Sequence, residues 1–118
     1  MDLAAHPYYS AMLQKGRMIP FFHKDKLICF ITFYIDDDIN KYINSDHWEL
    51  FEDNPNGKNL YITQLWTDET SYRENHKLAY EVWQRIKTYI KGNFPSVKTI
   101  YWRRHKNFIV KTYKKEIE

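Results

Sequence analysis

The side chains of this 118-residue chain that could do chemistry are few, and their spacing is loose. Histidine is the residue that ordinarily titrates near neutral pH, and it occurs at His6, His23, His47, His76 and His105. No two of these have the i, i+4 spacing of a helical metal pair, and there is no C-x-x-C, so no metal site is expected. A lone histidine at a strand end is ordinarily a solvated turn residue, because a catalytic base needs matched geometry first. The single cysteine, Cys29, lies in the apolar run Leu27 to Ile35, where a buried, inert thiol is expected.

Two segments concentrate charge and rings. The first, Trp66-Thr67-Asp68-Glu69-Thr70-Ser71-Tyr72-Arg73-Glu74, holds three carboxylates and two aromatic rings and no glycine. A turn that grips a phosphorylated ligand uses glycines, so that backbone N–H groups close around phosphate at a helix N-terminus. Carboxylates occupy that place here, so no phosphate cradle is expected. In the second segment, Trp102, Arg103, Arg104, Lys106 and Phe108 interleave cations with rings, and Lys111, Lys114 and Lys115 follow. Such a hairpin could stack bases and neutralise phosphate, or it could pair with carboxylates on an acidic protein. The small total charge of +3 weighs toward the protein partner or a homo- or hetero-oligomer.

That total conceals an asymmetry. Between 36 and 53 seven acidic residues face Lys41 alone, a net of −6, whereas 98–118 carries seven cations against Glu116 and Glu118, a net of +5. Opposed patches suit packing against a partner or complementarity within one chain. The length predicts one domain over 1–118 with a core that needs no staples. A single cysteine cannot close an internal disulfide, which points to a reducing, cytoplasmic setting. Met1 to Pro7 is too short and too broken by proline for a secretory signal, and Leu27–Ile35 is far below the roughly 20 residues of a membrane span.

The elements that must position these residues are legible from periodicity. A short helix is predicted over 3–15, with Pro7 in its first turn and Gly16 as its stop. Two antiparallel strands follow, Arg17 to His23 and Leu27 to Ile35. The second is apolar on both faces and so should be central. An acidic insert ends in the turn signal Asn54-Pro55-Asn56-Gly57. After the strand Leu60–Trp66, Ser71 and Glu74 have capping-box spacing. Leu78, Val82, Ile86 and Ile90 then mark a crossover helix over about 75–91. Strands Val97–Trp102 and Phe108–Tyr113 complete an α+β order with a mixed, mostly antiparallel sheet.

At the crossover the chain resembles the GNAT superfamily of N-acyltransferases. The matching pieces are Leu27–Ile35, Leu60–Trp66, the helix through Trp83-Gln84-Arg85-Ile86, and Thr99-Ile100-Tyr101-Trp102, about 80 residues matched by element order. The family's Arg/Gln-x-x-Gly-x-Gly/Ala loop is missing at Thr67–Asn75. In this it looks like toxin-activating lysine acyltransferases, which keep the fold without that loop and use acyl carrier protein. Their catalytic His and Asp would fall nearest His6 and Asp68. The chain also resembles small GNAT-like proteins that tailed phages carry among morphogenesis genes. The resemblance implies one of two functions. The first is a non-enzymatic binding or structural subunit, such as a virion or assembly protein, with no cofactor. The second is an N-acyltransferase with an atypical donor site for acetyl-coenzyme A or acyl carrier protein. Acyl transfer needs a base and an oxyanion donor, and His6, His23, His47, Asp68 and Tyr101 are the candidates.

The helix periodicity has a direct consequence for stability. Replacing Ile86 with Ala should lower the free energy of unfolding by roughly 2–5 kcal/mol, the range for emptying a core site. Chemical denaturation measures this, and a loss typical of a surface site would put the helix face elsewhere.

Overall fold

The computed structural model describes residues 6–46, 48–106 and 109–117, and for 104–106 and 109–111 it describes backbone alone. Helix α1 (Pro7–Gln14) leads into strands β1 (Met18–His23) and β2 (Lys26–Asp36), followed by the single turn α2 (Asn40–Ile43). Strand β3 (Asn59–Thr67), the short helix α3 (Glu69–Glu74), helix α4 (Leu78–Asn93), and strands β4 (Thr99–Lys106) and β5 (Ile109–Glu116) complete the order. The strands form one sheet in sequence order, antiparallel throughout except for β3 and β4, which run parallel. This is the predicted α+β arrangement with a mixed, mostly antiparallel sheet.

The two-faced apolarity of β2 has a simple cause. Cys29, Ile31, Phe33 and Ile35 point to one face and pack with Leu60, Ile62, Ile100 and the α4 stripe Leu78, Val82, Ile86 and Ile90. Phe30 and Tyr34 point the other way, into a second core with Tyr8, Met12, Ile39, Tyr42 and Tyr61 beneath α1 and α2. Period-two alternation therefore buries the strand twice, between a helix layer below and a helix-and-loop layer above. The β1–β2 turn uses Lys24 and Asp25 with φ of 49° and 63°, the left-handed pair that suits a two-residue hairpin.

Several boundaries differ from expectation. The crossover is two helices, because the chain breaks at Asn75, whose extended φ of −137° ends α3 before α4 begins. Ser71 therefore lies inside α3 and caps nothing; its hydroxyl donates to Asp68 instead. The helix also runs through Gly92 to Asn93, whose side-chain amide donates to the Tyr89 carbonyl at 2.9 Å.

The acidic insert, 37–58, is fastened by polar contacts. Its neck closes where Asp36 pairs with Asn59, Lys58 N donates to Asp37 Oδ1 and Asn59 Nδ2 donates to the Asp37 carbonyl. Gly57 is required there, since a Cβ would stand 2.5 Å from the backbone of Asp36. Farther in, Arg17 grips Asp53 bidentately at 2.8 and 2.9 Å, and Asp53 Oδ2 also accepts the Ile35 N–H at 2.7 Å. Both side chains of this pair are nine-tenths or more buried, and the guanidinium lies 5.1 Å from the centre of the Phe94 ring.

Removing one partner of a buried pair strands the other charge. Asp53→Ala should cost about 3–5 kcal/mol. Lys15→Ala, which breaks the neighbouring exposed contact with Glu52, should cost less than about 1 kcal/mol. Paired thermal and urea unfolding of the two variants checks the contrast.

Candidate functional site

Strands β3 and β4 stay together for only four residue pairs, from Asn59↔Thr99 to Ile62↔Trp102. Beyond Ile62, β3 continues along β2 as far as Thr67↔Cys29, while β4 continues along β5 as far as Lys106↔Ile109. The sheet therefore divides. A bulge marks the division: Thr32 pairs with Gln64 and Phe33 with Ile62, leaving Thr63 as an extra residue. Bulges sharpen strand twist and re-aim side chains, which turns the far half of β3 away from β4. The Thr63 hydroxyl is held at 2.6 Å from that of Thr32 and 3.4 Å from that of Tyr8.

The gap is a cleft of about 630 Å³. Ile62, Thr63, Leu65 and Thr67 form the β3 wall, Trp83 and Ile86 of α4 the floor, and Trp102, Arg103 and Lys115 the opposite wall. Trp83 and Trp102 meet with ring centres 5.9 Å apart, and Tyr113 stacks on Trp102 at 5.8 Å. Leu65 is 58% exposed, an apolar side chain left facing open space by the loss of its strand neighbour. Beyond Ile62 no residue of β3 pairs with β4, so among the described residues this stretch of β3 is a sheet edge, the kind of surface to which an extended chain can add.

On the opposite face a smaller cavity of about 380 Å³ is lined by Tyr9, Phe30, Trp48, Gln64 and Trp66, together with Thr63 and Leu65. Thr63 and Leu65 border both spaces. The two cavities thus approach each other at the bulge.

The sequence-derived catalytic candidates do not converge on the cleft. His6 caps α1, its Nδ1 accepting the Tyr8 N–H at 3.2 Å, and its ring stacks on Trp48 at 5.2 Å. Asp68 accepts from the Ser71 hydroxyl at 2.6 Å and pairs with Lys26 at 2.9 Å; these two contacts hold its carboxyl below the usual range. A carboxylate so stabilised is a weak base. Tyr101 is half-buried against the core under α1, on the face opposite Trp102. His23 ends β1, His76 is exposed between α3 and α4, and His47 lies outside the described residues. Cys29 is fully buried, and burial pushes its thiol up to about 11 against a small opposing pull from Tyr72, as an inert thiol should be.

Of the basic hairpin, Trp102 and Arg103 line the cleft, whereas the side chains of Arg104 and Lys106, and Phe108 altogether, lie outside those described. Arg103 is turned inward and donates to the Ile43 carbonyl at 2.9 Å. Part of the charge asymmetry is therefore answered within the chain, as it is at Arg17–Asp53, Lys15–Glu52 and Lys41–Asp36.

The turn after β3 is not built as a glycine cradle for a phosphate. Glu69 occupies the first turn of α3 and Asp68 precedes it, so two of the chain's own carboxylates stand at that helix start, Asp68 engaged with the Ser71 hydroxyl and Lys26. At the start of α4, Lys77 N–H and Leu78 N–H are bonded to the Asn75 side chain and carbonyl. No glycine lies between Gly57 and Gly92 to bring backbone close to a phosphate. Among the described residues no cluster of three or more His, Cys, Asp or Glu could hold a metal, and no helix is long and apolar enough to cross a membrane.

No protein-family model matches the sequence, and no curated protein matches it. Among solved structures the chain is similar to a "putative acetyltransferase" from Staphylococcus aureus Mu50, with 16% identity and a TM-score of 0.55 over 93% of this chain and 78% of that one. At this identity the likeness establishes the fold, which is GNAT-like.

The Asp68 contacts predict a pH effect with a definite sign. A depressed carboxyl pKa contributes stability above the unfolded value, and that contribution is lost as pH falls through the folded one. Asp68→Asn should be less stable than the parent at neutral pH, and the gap should close by about pH 2, below the carboxylate range. Thermal unfolding across that span tests it.

Proposed function

We propose that this chain is an N-acyltransferase with an atypical donor site, in which an acyl thioester occupies the cleft between β3 and β4. The observation that carries this reading is the parting of the parallel strands at Ile62 and Trp102, which leaves a ring-lined cleft between the two strands. An extended, amide-bearing arm adds to such an edge as a short strand, with its acyl end directed at the bulge. An amine entering from the opposite cavity reaches the same point. Its nitrogen attacks the thioester carbonyl carbon; a C–N bond forms, the C–S bond breaks, and the electron pair leaves with sulfur. The amine proton ends on that thiolate, giving an amide and a free thiol. Backbone N–H groups of β3 are the donors available to the developing oxyanion.

Because the turn at 68–77 offers no pyrophosphate cradle, the donor is held by something other than a nucleotide. Lys98, Lys114 and Lys115 are exposed on and beside β4 and β5, and Lys115 borders the cleft. They suit an acidic carrier protein bearing the acyl arm. A second reading is a non-enzymatic binding subunit on the same scaffold. It is favoured by one feature: no carboxylate or imidazole is among the described residues lining the cleft.

Calorimetry and thiol-release assays with acyl carrier protein and with acetyl-coenzyme A, each with a mixture of primary amines, separate these readings. The expected result is carrier-dependent thiol release, reduced at least about tenfold by Lys114→Glu with Lys115→Glu, with binding abolished by Leu65→Glu. Carrier binding with no thiol released supports the binding subunit. Saturable micromolar binding of acetyl-coenzyme A, lost on changes at 67–75, would overturn the carrier assignment.

A further inference from the structure

We infer that the cavity above the bulge selects a primary amine bearing a flat aromatic ring. Only the fate of the bound amine rests on the acyl-transfer reading; the pocket and its ligand chemistry stand on their own observations. Four rings form a continuous arc. Trp48 meets Tyr9 edge-on at 5.9 Å, Tyr9 meets Phe30 edge-on at 5.2 Å, and Phe30 stacks with Trp66 at 5.6 Å and 16°. The arc encloses about 380 Å³, within the range of small-molecule sites, and its floor is the bulge residue Thr63 with Gln64 and Leu65.

Each wall is fixed before any ligand arrives. The Tyr9 hydroxyl donates to Gln64 Oε1 at 2.7 Å, which sets both side chains. Trp48 is 53% exposed, yet it is bracketed by His6 stacked at 5.2 Å and by Tyr8 edge-on at 5.4 Å. Its backbone N–H donates to Asp46 Oδ1 at 2.8 Å. An exposed tryptophan held this firmly presents a ring face at low cost in conformational entropy.

Charge chooses among flat ligands. Trp48 lies in the acidic 36–53 segment, where Lys15 and Arg17 answer Glu52 and Asp53 but Asp46 and Glu49, before and after Trp48, are exposed and in no ion pair among the described residues. The open side of the arc therefore favours a cation, and ring faces add to that attraction. The ligand's ring stacks within the arc, and its ammonium end lies at the open side, beside Asp46 and Glu49.

The test uses the whole protein without an acyl donor, titrating 2-phenylethylamine, 2-cyclohexylethylamine and 2-phenylethanol by calorimetry. The expected result is saturable binding of 2-phenylethylamine, about tenfold weaker for the saturated-ring amine and for the neutral alcohol. Trp48→Ala should weaken binding at least about tenfold while circular dichroism and melting stay near those of the parent, because the side chain is half exposed. Tyr80→Ala, on an exposed site of α4, should leave it unchanged. Equal binding of the two amines, no saturation at millimolar ligand, or undiminished binding by Trp48→Ala would each overturn the inference. Retained aromatic-amine binding with no amide formed from any donor counts against acyl transfer and supports the pocket.

Discussion

The structure turns on how few residues join its two halves. Four parallel pairs hold β4 to β3, and everything past Ile62 and Trp102 depends on that seam ending where it does. A longer ladder would close the cleft, cover Leu65 and join the two sheet halves into one smooth surface. The extra residue at Thr63 prevents this by sending β3 along β2, while α4 fills the space beneath with Trp83 and Ile86. The parted strands leave a cleft beside apolar rings at a place where a continued ladder would have satisfied the backbone on both sides.

The fold was legible in the sequence because its signals are periodic. Leu27–Ile35 reads as twice-buried because successive residues face different cores, and Leu78, Val82, Ile86 and Ile90 read as a helix face because their spacing repeats a turn. The break at Asn75 was not legible, since no proline or glycine marks it and Ser71 and Glu74 imitate a cap. The site was harder still. A bulge leaves no compositional trace, so Thr63 looks like any strand threonine. Trp48 and Tyr9 meet only because a loop and a helix separated by a strand pair fold onto the same face. His6 and Asp68 drew attention by their chemistry, and both are engaged locally, one as a helix cap and the other in an ion pair with a hydroxyl contact.

The charge asymmetry also has a different balance in three dimensions. The acidic segment is met by Lys15, Arg17 and Lys41 from the N-terminal half of the chain and by nothing described from β5. Arg103 reaches the segment through a carbonyl, which needs no carboxylate. Among the described residues Lys115, which borders the cleft, is in no ion pair, and neither are Asp46 and Glu49, which are exposed beside Trp48 at the upper cavity.

The closed neck of the acidic insert has a consequence for how such a protein can change. Asp36 and Asn59 are strand partners, and Gly57 packs so closely on Asp36 that the two ends of the loop are fixed relative to the sheet. Between them, Ile39 and Tyr42 enter the second core, Asp53 reaches Arg17, and Glu49 and Phe51 bond through their backbone to Tyr34, while exposed positions such as Trp48 carry none of the core. Trp48 thus rides on the exposed part of the loop, while the cleft belongs to the sheet and α4, so a change at Trp48 alters one wall of the upper cavity and leaves the core and the cleft as they are.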